Sequence, residues 1–101
     1  MRTFLVFRKP GRGWVGGKPT REQPGWDDHA RFMDGLHESG RVLLAGPYDD
    51  LSRVLLVVSC SSETEAERLF DADPWTETEV LEMDGMHPWS AFLRPEGWPA
   101  S

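Results

Sequence analysis

The chain has 101 residues, of which 39% are hydrophobic and 28% charged, and its net charge is −6. That length suits one domain with a small core, and the composition is that of a globular chain, not a disordered one. The acidic balance argues against sequence-independent binding to nucleic acid, which depends on neutralising phosphates, and no apolar run nears the roughly 20 residues of a membrane span. Cys60 has no second cysteine to pair with. The opening Met1-Arg2-Thr3-Phe4-Leu5-Val6-Phe7-Arg8 is too short for the apolar core of a signal peptide and has no small-residue cleavage site. A reducing cytoplasm is therefore the expected setting.

Thr3 to Arg8, rich in Phe, Leu and Val, predicts a strand. A basic stretch follows, with Arg8, Lys9, Arg12, Lys18 and Arg21 and no acidic residue, and Pro10, Gly11, Gly13, Gly16, Gly17 and Pro19 mark it as a loop over 8–24. Such a loop is either a solvated connection or a cationic lid over an anionic substrate. Gly11-Arg12-Gly13-Trp14-Val15-Gly16 fits the G-x-G-x-x-G pattern of dinucleotide sites. That fingerprint needs a helix opening within the glycines, whereas Gly17-Lys18-Pro19 comes next, so no nicotinamide or flavin cofactor is expected.

From Pro24 to Ser39, Trp26, Ala30, Met33 and Leu36 recur at helical spacing and Phe32 widens the stripe. Pro24 suits a first helical turn, and Gly40 suits the left-handed residue past the end. Arg41–Pro47 and Arg53–Cys60 predict two strands joined by the hairpin-length turn Tyr48 to Ser52. Ser62-Glu63-Thr64-Glu65 is a capping box opening a second helix, which carries Ala66, Leu69 and Phe70 and which Pro74 ends. Thr76–Met83 and His87–Leu93 then predict a strand and a short terminal strand, and 94–101 a tail. The order is βαββαβ: an α+β, ferredoxin-like antiparallel sheet with two helices on one face. Leu5 and Val6, Leu43 and Leu44, and Leu55 and Leu56 point to opposite sides of that sheet, and two helices can cover only one. Either a second copy packs on the other side, giving a homodimer, or the C-terminal tail covers it with Trp89, Phe92 and Trp98.

Chemistry concentrates at two places. His29 lies one turn from Trp26 and Met33, on the inward face of the first helix, and Asp73-Pro74-Trp75 closes the second. An imidazole moves protons near neutral pH, and a carboxylate beside it fixes which ring nitrogen carries the proton. The alternative is a core imidazole satisfied by a hydrogen bond, with Asp73 punctuating a helix end. His37 and His87 add no tight metal-ligand spacing and Cys60 has no sulfur partner, so no metal is expected.

The series His29, Gly40, Arg41-Val42-Leu43-Leu44-Ala45-Gly46-Pro47, Asp71-Ala72-Asp73-Pro74-Trp75 and Pro88-Trp89 resembles the YCII (YciI-like) family of the dimeric α+β barrel superfamily. The likeness runs from about Trp26 to Phe92 and includes the first strand. It implies a ferredoxin-like fold, a dimer joined through sheet faces, and a His-Asp active site made here of His29 and Asp73. Superfamily clefts of this kind hold small cyclic or aromatic molecules. Many members carry Arg three residues before the histidine, where this chain has Trp26, and the loop Lys9 to Gln23 is enlarged here.

The resulting expectation is one domain over 1–101, acting as a cofactor-free homodimeric enzyme on a small organic molecule. His29 serves as general acid/base, held by Asp73; Gly46 and Pro47 floor the cleft, and Trp26, Trp75 and Trp89 wall it. Lyase, isomerase and hydrolase chemistry all fit. The rival expectation is a non-catalytic ligand-binding or accessory dimer using the same cleft.

Overall fold

The computed structural model describes residues 1–99; residues 100 and 101, the end of the expected tail, lie outside the described residues. Four strands form one antiparallel sheet in the order β2-β3-β1-β4, with β1 at Arg2–Pro10, β2 at Val42–Pro47, β3 at Val54–Cys60 and β4 at Leu81–Pro88. Helix α1 spans Trp26–Glu38, α2 spans Glu63–Arg68 and α3 spans Pro74–Glu77. This is the ferredoxin-like α+β arrangement, with the second helix of the pattern split in two. No helix is long and apolar enough to cross a membrane.

Alternation along β1 sets the layers. Phe4, Val6 and Arg8 face the helices, paired with Val58, Leu56 and Val54 of β3, while Leu5 and Phe7 face away, paired with Val57 and Leu55. The main core gathers Phe4, Val6, Val42, Leu56, Val58, Ala66 and Phe70 beneath Phe32, Met33 and Leu36 of α1, the stripe read from spacing. A second cluster of Trp75, Val80 and Leu81 takes in Trp14 and Trp26. On the far side, where no helix packs, Leu44 is 59% exposed and Leu5, Phe7 and Leu55 are half-buried, whereas Val57 is buried. The tail does not cover this face with Phe92, which is itself 92% exposed.

Several elements differ from the sequence expectation, each for a local reason. Strand β1 runs on to Pro10 because Arg8, Lys9 and Pro10 pair with Met83, Glu82 and Leu81, so the loop starts later than residue 8. Helix α1 begins at Trp26, after a left-handed Gly25 (φ 78°), which leaves Pro24 outside its first turn. Gly40 does take the left-handed conformation after the helix (φ 81°). Ser62 caps α2, its Oγ accepting from the Glu65 N–H at 3.1 Å. Pro74 does not end that helix, which has already stopped at Arg68; it opens α3 at the first helical position, with Asp73 as the cap. Capping at Asp73 turns 74–77 into helix, so the expected strand 76–83 starts only at Leu81. His87 and Pro88 close that same strand β4, and no separate strand occupies 87–93.

The glycine pattern at 11–16 has a packing explanation. The amides of Gly11 and Gly13 donate to the carbonyls of Val80 and Glu79 at 3.1 and 3.0 Å. A Cβ on either would lie 2.3 or 2.2 Å from a backbone oxygen of Glu79 or Thr78, so only glycine allows the two chains to approach. These amides are committed to the protein's own backbone, not to a pyrophosphate. Beyond them the fully buried Gln23 ties the loop together: its amide oxygen accepts from Val15 N–H at 2.8 Å, and its amide nitrogen donates to the Val15 and Lys18 carbonyls at 2.9 and 2.8 Å. The loop is thus an ordered wall with its own hydrogen bonds.

Candidate active site

Asp73 is where β1, α1 and α3 meet. One of its oxygens accepts from the backbone N–H of Trp75 at 3.0 Å, which caps α3. His29, projecting from α1, places Nδ1 at 2.9 and 3.0 Å from the two carboxylate oxygens. Arg8, reaching up from β1, donates from Nη1 to Asp73 at 2.6 Å and from Nη2 to the Thr76 hydroxyl at 2.7 Å. Thr76 in turn donates to the Phe70 carbonyl at 2.6 Å, and the Arg8 guanidinium lies 5.3 Å from the Phe70 ring centroid. All three ionisable partners are buried: Asp73 is 1% exposed, Arg8 2% and His29 8%.

Burial pushes the Asp73 carboxyl up, but hydrogen bonds from His29, Arg8 and the Trp75 amide outweigh it and hold the group below the usual carboxylate range. Asp73 is therefore an anion and an acceptor at neutral pH. It follows that His29 Nδ1 carries a proton and donates it to Asp73, which leaves Nε2 as the nitrogen whose state can change. Nε2 makes no hydrogen bond with any described residue. The ring's tilt is fixed as well. It stacks on Trp75 with centroids 3.8 Å apart and planes 7° from parallel, and Trp26 approaches both rings at 5.7 and 5.8 Å. Trp75 is held by its own indole N–H, which donates to the Pro24 carbonyl at 2.7 Å.

His29 lines a cavity of about 320 Å³ between the sheet, α1 and the loop. Trp26, Gly46, Pro47 and Trp75, expected in the cleft, all contribute to its wall. Trp89 does not. Its N–H bonds to the Thr3 carbonyl at 3.0 Å, near the opposite end of β1 from Pro10, and the residue is 41% exposed. His87 sits on the far sheet face, its ring centroid 6.1 Å from that of Phe7.

Of the basic residues read as a possible lid, Arg8 and Arg21 line the wall, and Trp14, Thr20 and Leu51, which sequence reasoning did not assign to the cleft, line it too. For Arg8 a signal existed: it continues the Phe4, Val6 alternation and so belongs to the core face, where a cation demands a partner. Leu51 adopts a left-handed backbone (φ 62°) in the β2–β3 turn, a conformation uncommon for a bulky side chain and not deducible from its letter. Among the described residues no group of three or more His, Cys, Asp or Glu side chains is placed to hold a metal ion.

The family model described as a YCII-related domain matches residues 4–90. The chain belongs to the YCII family. Among solved structures, this YCII protein is similar to the 5-chloro-2-hydroxyhydroquinone dehydrochlorinase of Burkholderia phenoliruptrix AC1100, determined in complex with 2,5-dihydroxybenzoquinone. That likeness has a TM-score of 0.59 at 20% identity and covers 87% of this chain and 93% of the other, which establishes a shared fold. No curated protein sequence matches the chain.

Proposed function

We propose that this YCII protein is an enzyme that moves a proton on a small organic molecule, with His29 Nε2 as the general acid/base and Asp73 as the group that orients the ring. The observation carrying this reading is the division of labour at the imidazole. Nδ1 is bound to an ionised, buried carboxylate, while the ring lines a cavity and Nε2 is left unbonded. In the neutral ring Nε2 holds a lone pair and can take a proton from an acidic C–H or O–H. Arg8 and Asp73 carry opposite charges, so protonation of His29 gives the site a net positive charge beside the substrate anion it has just formed. Return of that proton to another carbon completes an isomerisation; departure of a leaving group completes an elimination. The dehydrochlorinase with the shared fold removes the elements of hydrogen chloride, by its name, and such chemistry uses a base.

The proposal extends to a homodimer joined through the sheet face that the helices leave bare, where Leu5, Phe7, Leu55 and Leu44 lie. Light scattering after gel filtration is then expected to give about twice 11.5 kDa, and Phe7→Glu the monomer. A reducing cytoplasm remains the proposed setting, consistent with the free, buried Cys60.

The test of the chemistry is a panel of halogenated hydroquinones and enolisable carbonyl compounds, followed by halide release and by deuterium uptake from solvent. For any compound turned over, His29→Gln is expected to lower kcat by about 10²–10⁴-fold with the circular dichroism of the wild type. Full activity in His29→Gln would refute the role of Nε2. Compounds that bind without turnover throughout the panel would instead favour a ligand-binding module.

A further inference from the structure

The side of the cavity formed by the loop between β1 and α1 has a chemistry of its own. It contributes Trp14, Thr20 and Arg21, and no Asp or Glu lies anywhere in the cavity wall. Of the two arginines there, Arg8 is committed to Asp73 and Thr76. Arg21 makes no ion pair among the described residues, although the chain as a whole is strongly acidic. Its guanidinium stands 5.9 Å from the ring centroid of Trp26, the same indole that lies 5.7 Å from His29. A cation without a carboxylate partner, a neighbouring hydroxyl and three indoles thus converge on one space.

The size of that space narrows the ligand. About 320 Å³ is at the low end for ligand cavities, which run from roughly 300 to 1,000 Å³, and it suits one ring with short substituents better than a nucleotide or a longer chain. We infer that the cavity takes a single-ring organic anion, its ring packed among Trp14, Trp26 and the His29–Trp75 stack and its negative substituent held by Arg21 at the loop side. This rests on the cavity being the ligand site, as in the proposed function, but does not require that His29 be the base. Arg21 is the specificity-determining residue: planar guanidinium donors suit a carboxylate or a ring oxyanion, and the Trp26 ring stands within cation–π reach of the side chain.

Fluorine NMR titration of 4-fluorobenzoate and 4-fluorobenzamide into the full chain tests this, with the indole N–H signals of Trp14, Trp26 and Trp75 locating the bound ring. The two probes share a ring and differ in charge. Wild type is expected to bind the benzoate about tenfold more tightly than the benzamide, the low end for a charge-assisted hydrogen bond. Arg21→Gln is expected to bring that ratio to about one by weakening the benzoate more than the benzamide, and Lys18→Gln, an exposed loop cation outside the wall, to leave the ratio intact. Equal affinities in wild type, or binding of neither ring, would overturn the proposal. So would a ratio that survives Arg21→Gln or falls equally in Lys18→Gln, since the anion would then be read by another group or by general charge. Failure of the proton-transfer reading is seen separately, as full turnover in His29→Gln.

Discussion

Replacing Arg8 by methionine removes the cation but keeps an apolar stem of similar length on the core face of β1. The consequence can be scaled from its surroundings. Arg8 is 2% exposed and its Asp73 partner has a fully buried side chain, so the variant leaves a buried carboxylate with His29 as its one side-chain partner among the described residues. Breaking a buried pair from one side costs about 3–5 kcal/mol, a large share of the roughly 5–15 kcal/mol that holds a domain of this size together. Thermal unfolding at neutral pH should therefore fall by on the order of 12 °C or more. Asp73→Asn added to Arg8→Met removes the stranded charge and should recover part of the loss. The pH dependence supplies a second check. In the wild type the Asp73 carboxyl is held below its ordinary value, so its contribution is present above the unfolded carboxylate range, about pH 3.9, and is lost as pH falls through the lower folded value. Without Arg8 one downward influence is gone while burial still pushes the group up, and neutralising it relieves the variant. The gap in melting temperature between wild type and Arg8→Met is expected to shrink from pH 7 to pH 4. A loss below about 1 kcal/mol in urea unfolding, or a gap that stays constant with pH, would refute the reasoning.

Gly11→Ala should destabilise by about 1–3 kcal/mol, because the new methyl would stand 2.3 Å from the Glu79 carbonyl oxygen and two backbone segments must part. Gly16→Ala, which meets nothing within 4 Å, should be neutral or slightly stabilising in the same urea titration; a similar cost at both positions would contradict the packing account. Gln23→Ala strands the Val15 N–H and two loop carbonyls, and amide exchange at Val15 and Lys18 should accelerate at least tenfold while that of β3 stays slow.

The first three strands and the first helix were legible because their signals are local: β-rich runs for the strands, helical spacing for the helix. Short runs rich in Val, Leu and Phe located β1, β2 and β3, and the spacing of Trp26, Met33 and Leu36 located α1 together with the inward direction of His29. The second half was harder because two rules compete at Asp73-Pro74. Proline there can end a helix or occupy the first position of the next, and the Asp73 side chain decides by accepting from Trp75 N–H. That choice moved the start of β4 from 76 to 81. Of the site, the helix-borne imidazole and the family-matched acid were readable. The loop was readable only as either a solvated connection or a cationic lid, since its course past Trp14, Thr20 and Arg21 is set by Gln23 and by two glycines pressed against residues 78–80, contacts without periodicity.

The capping choice at Asp73 also explains how so small a core holds an ionised group in register. A buried ion pair is seldom a net source of stability, and an apolar replacement of equal volume often does as well. Here, however, one carboxylate caps α3, neutralises a cation from β1 and orients the ring from α1. Displacing any of the three elements would unbalance the other two contacts at once. Trp75, the next residue but one, stacks on that same ring at 3.8 Å, so the turn that aims the acid also supplies the surface fixing the imidazole plane. The orientation of the His29 ring is thus inherited from the meeting of a strand, a helix and a four-residue helical turn, and the proton transfer proposed for Nε2 would need little reorganisation of the ring.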